Sequence, residues 1–153
     1  MTAHRAAICG DTGQAFVELA LVLPIFVLLL LGAAELGRLA YASIAVANAA
    51  RAGVAYGAQN HITAHDVRGI QTAATQDAPN ITSMATPAVA QACSCSSGVA
   101  ITCANAGTNC LTPNRIIEYV QVNTSASVDT LFHFPGIPNT VTLHGQAIMR
   151  VQQ

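Results

Sequence analysis

The chain has 153 residues, 52% hydrophobic and only 8% charged, with six basic and seven acidic side chains, five cysteines and no tryptophan. A net charge of −1 and the absence of lysine argue against electrostatic capture of nucleic acid, a P-loop lysine and Schiff-base chemistry. No GxSxG, HExxH, CxxC or glycine-rich phosphate loop is present, so neither enzymatic activity nor a cofactor is expected.

The first element is a short polar leader, MTAHRAAICGDTG, with Arg5 and the amino terminus set against Asp11. Asp11-Thr12-Gly13-Gln14 fits a helix-starting capping box, and Glu18 one turn later suits the positive end of a helix dipole. Leu19 to Ala34 then runs for sixteen residues without a charge, and Ala15 to Val17 extend it beyond Glu18. Spanning a bilayer takes roughly 20 apolar residues, so residues 15–34 can span with Glu18 near an interface. Pro24 falls inside this span, which membrane helices tolerate better than soluble ones.

The helical pattern continues past Ala34, with Leu36, Leu39 or Ala40, Ile44, Ala47, Ala50 and Val54 three and four apart. Glu35, Arg38, Asn48 and Arg51 lie mostly off that line, and Glu35 can pair with Arg38 across one turn. These spacings predict one helix over 14–58, about 65 Å long at 1.5 Å per residue. Its second half is amphipathic, with a small-residue face that permits close approach of a helix or sheet. A shorter helix is predicted in AHDVRGIQTAATQ, with Val67, Ile70 and Ala74 on one side and a break at DAPN.

Beyond it, Met84 to Cys110 reads as a small, polar loop region with VAIT as a short strand. IIEYVQVNTSA and SVDTLFHF read as two strands, PGIPN as a turn, and TVTLHGQAIMRV as a last strand alternating Val141, Leu143, Gly145, Ala147, Met149 and Val151 against a mostly polar face. The expected fold class is α+β, with a long amino-terminal helix packed on a three-stranded antiparallel sheet. Cys93, Cys95, Cys103 and Cys110 crowd together: on an exported side they pair as two disulfides, with Cys93–Cys95 disfavoured by its spacing, and on a cytosolic side they suit zinc. The i, i+4 pair His61 and His65 reads as a solvated helix start, and no metal is expected there. His133 and His144 fall on strands without a partner carboxylate at informative spacing, and the acids, Glu118 among them, show no paired pattern.

A polar leader ending in glycine, then four residues, a glutamate and an apolar span, resembles type IV pilin and pseudopilin precursors. The stretch VELALVLPIFVLLLLGAAELGRLAYASIAVANAARAGVAYGA is similar to the amino-terminal motif of the TadE-like family, minor pseudopilins of tight-adherence (Flp-type) pili. The end FPGIPNTVTLHGQAIMRVQQ resembles that family's last strand and its A-x-M-R motif, Ala147 to Arg150. Leu19 stands where the family favours an aromatic.

The resemblance implies cleavage by a prepilin peptidase between Gly13 and Gln14, and a role for Glu18 in subunit assembly. It implies a pilin-like fold: a cytoplasmic leader 1–13, the helix 14–58 and an exported domain 59–153. It places the chain in the inner membrane as a single-pass protein, amino terminus cytoplasmic and carboxyl-terminal domain periplasmic or extracellular. Partners implied are the peptidase, other minor pseudopilins, the Flp-type pilin, the inner-membrane assembly platform and membrane lipid. A second reading is a cell-surface binding or adhesion domain behind an ordinary signal peptide, cut near Gly32-Ala33-Ala34 or Ala40-Tyr41-Ala42.

Overall fold

A computed structural model describes residues 12–105, 110, 115–132, 136 and 138–152. The leader up to Asp11, with Cys9, and the segment His133–Pro135 lie outside the described residues. The chain divides into two units after Gly37, and helix α1 (Thr12–Gly57) runs through the division. In the first unit α1 stays helical across Pro24, although proline has no N–H to give to the carbonyl four residues back.

The second unit holds the rest of α1, helices α2 (His61–His65) and α3 (Val67–Asp77), and strands β1 (Ala88–Cys95), β2 (Ala100–Ile101), β3 (Ile116–Asp129) and β4 (Thr140–Arg150). The strands form one antiparallel sheet in the order β2-β1-β3-β4. The α+β class and the long helix on a small antiparallel sheet are thus as the sequence predicts. The sheet has four strands, however, where three are expected.

Three local differences lead to four strands, the first being that the short strand expected at VAIT joins the sheet as β2. IIEYVQVNTSA and the start of SVDTLFHF are one element, β3, of 14 residues. Glu118, Val120, Val122, Thr124 and Ala126 face inward in unbroken alternation. The polar run Asn123–Ser127 resembles a turn by composition, but pairing with β4 along its whole length, and a bridge from Met84 to Ala126 on the other side, hold it extended. Beyond Asp129 the chain bends at Leu131 and Phe132. The remaining strand is β1, from a stretch that reads as loop. Its inward residues Val89, Gln91, Cys93 and Cys95 include only one ordinary core side chain. The amides compensate: Gln91 Nε2 donates to the Ala64 carbonyl at 2.9 Å, and Gln71 Nε2 of α3 donates to the Pro87 carbonyl at 3.0 Å.

Helix boundaries follow from capping. Asn60 Oδ1 accepts from the Thr63 N–H at 2.9 Å while Thr63 Oγ1 accepts from the Asn60 N–H at 3.1 Å, a reciprocal box that starts α2. Asp66 caps α3 by accepting from the Gly69 N–H at 3.0 Å. The single predicted helix over AHDVRGIQTAATQ is therefore split at Asp66, with Ile70 and Ala74 buried as expected and Val67 partly exposed.

The core joins Val54 of α1, Ala64 of α2, Ile70 of α3, Val120 and Val122 of β3, and Val151 after β4. The buried face of α1 is Ala42, Val46, Ala49, Ala50, Gly53, Val54 and Gly57, with Gly53 and Gly57 against both α3 and β3. Only Ala50 and Val54 of the predicted apolar line lie on it; Leu36 and Ile44 are 69% and 59% exposed. Close approach selects small residues over large ones here. Thr124 Oγ1 donates to the Val46 carbonyl at 2.7 Å. A methyl group built on Gly145 of β4 would sit 2.6 Å from that same carbonyl and 2.9 Å from Ala47 Cα.

Candidate functional site

The first candidate site is the start of α1. The helix begins at Thr12, so the Gly13–Gln14 peptide bond lies in its first turn, where backbone N–H groups have no partner within the helix. Nothing lies within 4 Å of where a side chain on Gly13 would begin. Gln14 Nε2 donates to Glu18 Oε1 at 3.2 Å, a contact across one turn. The carboxylate therefore reaches back toward the residue at the predicted cleavage point. Asp11, the expected cap, lies outside the described residues.

Downstream of Glu18, the side chains of Leu21, Phe26 and Leu30 are exposed by 60–69%. Among the described residues α1 alone is long and apolar enough to cross a membrane. Its length and composition are consistent with single-pass membrane anchoring. So large a bare apolar surface is stable in lipid or against other protein, not in water.

The cysteines form two staples. Cys93 is bonded to Cys103 and Cys95 to Cys110, across sequence separations of 10 and 15 residues. Both bonds begin on the inner face of β1, where Cys93 and Cys95 are buried. In the chain-entropy account, closing a loop of 15 residues is worth about 3 kcal/mol. That is a large term for a unit whose core is mostly alanine and valine. The turn between β1 and β2 is closed by Gly98 at a φ of 90°, a left-handed conformation that glycine adopts without strain.

Where α1 hands over to α2 and α3, Tyr56 donates its hydroxyl to Asp66 Oδ2 at 2.9 Å. The Gly69 N–H and the Tyr56 hydroxyl hold the Asp66 carboxyl below its ordinary value. The bond to the Asp66 carboxylate raises the Tyr56 phenol. The depressed acid contributes stability that is present above about pH 4, the unfolded value of an aspartate, and lost as pH falls through the lower folded value. The raised phenol contributes stability that is present below about pH 10 and lost as pH rises through its folded value. In a Tyr56→Phe chain the Asp66 carboxyl is expected to titrate at higher pH, read from its 13C shift. An unmoved titration would show that the phenol is not its donor.

A second cluster escapes sequence reading. His61 and His65 do lie on one face of α2, and Glu118 of β3 meets both of them. His61 Nδ1 is 2.8 Å from Glu118 Oε2, and His65 Nε2 is 3.1 Å from Glu118 Oε1. The histidine side chains are 77% and 51% exposed, whereas that of Glu118 is only 9% exposed. The i, i+4 histidine spacing is the only signal in the sequence. Glu118 lies 57 residues from His61, and nothing local marks it as their partner.

No curated protein and no solved structure matches the chain. One family model does match, and it covers residues 13–55, from the glycine before the predicted cut to within two residues of the end of α1. The carboxyl-terminal strand, with Ala147 to Arg150, lies outside the matched segment. The matching model is that of the TadE-like protein, so the segment of α1 from Gly13 to Ala55 is similar to that family.

Proposed function

We propose that the chain is a minor pseudopilin that takes part in assembling a tight-adherence pilus. A prepilin peptidase cuts it between Gly13 and Gln14. It sits in the inner membrane with residues 15–34 in lipid, its amino terminus cytoplasmic and its carboxyl-terminal unit periplasmic or extracellular. It acts by packing α1 against other minor pseudopilins, the Flp-type pilin and the assembly platform, rather than by chemistry on a substrate. The observation that carries this reading is the family match over residues 13–55, a segment whose large apolar side chains from Phe16 to Leu30 are left exposed.

Two features support it. The Gly13–Gln14 bond lies in the first turn of a helix, where backbone N–H groups have no partner within the helix. The two disulfides stabilise a small unit of the kind found in oxidising, exported compartments. Mass spectrometry of the membrane-extracted protein is expected to find Gln14 at the amino terminus. A start at Met1 would refute cleavage. A start at Glu35 or Ser43, with the protein released in soluble form, would replace the pseudopilin with a secreted domain.

A further inference from the structure

We propose that His61, His65 and Glu118 form a binding site for a divalent transition-metal ion of zinc type, which clamps α2 to β3. The site lies wholly in the second unit and does not depend on the pilus reading.

The donor set and its geometry carry the proposal. One ring nitrogen each of His61 and His65 and a Glu118 carboxylate oxygen lie within 4.8 Å of one another. An ion about 2.1 Å from each donor in tetrahedral geometry needs donor separations of about 3.4 Å. The observed separations, 2.8 Å from Glu118 Oε2 to His61 Nδ1 and 3.1 Å from Oε1 to His65 Nε2, with one donor from each residue within 4.8 Å of the others, call for shifts of about 1.4 Å or less. The exposed histidines sit on a single helical turn and can make those shifts by rotating about their side-chain bonds. Two imidazoles and one carboxylate are the ligand types that borderline ions such as Zn²⁺ accept, and the remaining position is left to water.

An independent observation points the same way. The Glu118 side chain is more than nine-tenths buried, and its Oε1, though 3.1 Å from His65 Nε2, accepts no hydrogen bond. A buried carboxylate with an unsatisfied oxygen is costly unless a positive charge answers it. Neutral imidazoles donate hydrogen bonds but carry no charge, whereas a dication bound by all three neutralises the carboxylate and occupies the idle oxygen. Glu118 lies beneath the ring pair, whose centroids are 4.6 Å apart and nearly perpendicular. The hollow that holds the three, about 310 Å³, is bordered by Cys93 and Cys103. Their sulfurs are spent in a disulfide, which leaves the imidazoles and the carboxylate as its metal-binding groups.

The test uses the full chain, without a histidine tag, in detergent, stripped with EDTA and titrated with zinc chloride by calorimetry. One zinc per chain is expected, together with a rise in melting temperature that EDTA reverses. The double variant His61→Ala/His65→Ala is expected to lose both effects; its melting in EDTA is compared with that of the native chain separately, because it also removes the imidazole contacts to the buried Glu118 carboxylate. Glu118→Gln is expected to weaken binding by about 100-fold or more, since losing even an outer partner of a metal ligand costs 10–100-fold. His144→Ala, on β4, serves as the control and is expected to bind like the native chain. Absence of saturable zinc uptake by the native chain, or equal uptake by the double variant, would overturn the site. Equal uptake by Glu118→Gln would remove the carboxylate from it.

Discussion

Replacing Gly145 with valine is expected to destabilise the carboxyl-terminal unit by about 3 kcal/mol and to lower its melting temperature by roughly 10 °C. The reason is space rather than backbone conformation. The first atom of any side chain at 145 would lie 2.6 Å from the Val46 carbonyl oxygen and 2.9 Å from Ala47 Cα. Both belong to the backbone of α1, which cannot swing aside as a side chain can. The same methyl would lie 2.6 Å from Thr124 Oγ1, the hydroxyl that ties β3 to the Val46 carbonyl. Accommodating it means lifting β4 from the helix and breaking the one buried polar link between helix and sheet at that point. Against a total stability of about 5–15 kcal/mol for an ordinary domain, a loss of that size is severe. Thermal unfolding of the full chain in detergent, followed by near-UV circular dichroism, measures it. Gly37→Ala is the matched control: nothing lies within 4 Å of its added methyl, and alanine favours a helix. If Gly145→Val melts with the native chain, α1 does not rest on β4 as described.

Gly145 also marks the boundary between what the sequence reveals and what it conceals. Alternation in TVTLHGQAIMRV places Gly145 on the inward face, where it is found buried. That a helix backbone crosses there is a tertiary fact with no local signal. The inward face of α1 is hidden for the same reason. Ranking positions by hydrophobicity selects Leu36 and Ile44, but the positions that are buried are Ala42, Ala49 and Gly53, the last crowded by Ala74, Ile70 and Val122. The large residues are left outside, free to meet other surfaces. By contrast, the apolar run of α1 is legible because it rests on an uninterrupted local composition. The strands of the sheet fall between these cases. β4 is read from its period of two, whereas β1 is missed because cysteine, alanine and glutamine make a weak strand pattern until disulfides and amide bonds stabilise it. The His61–His65–Glu118 cluster is half visible: helical spacing shows the two histidines, and only the folded sheet supplies the acid.

A Glu18→Gln substitution is expected to leave removal of the leader intact and to reduce pilus yield by about tenfold or more. The two possible roles of Glu18 differ in size, and that difference makes the measurement decisive. If Glu18 only complements the dipole at the start of α1, its charge is worth about 0.3–1 kcal/mol at an exposed position, and glutamine, which keeps the shape and the hydrogen bond to Gln14, leaves assembly almost unchanged. If instead it neutralises the α-amine released at Gln14, the charge matters far more. Cleavage creates an ammonium at the head of an apolar helix, and removing one partner of a buried ion pair costs about 3–5 kcal/mol. Each 1.4 kcal/mol is a factor of ten in an equilibrium, so even partial burial at a subunit contact carries the effect past tenfold. The carboxylate already reaches back across one turn to Gln14 in the uncut helix, which places it to meet that amine on its own chain or on a neighbour. Counting surface filaments by electron microscopy, with mass spectrometry of the amino terminus on the same cells, separates assembly from processing. Normal filament numbers from correctly cut Glu18→Gln protein would reduce Glu18 to dipole electrostatics and remove the ion pair from the mechanism of assembly.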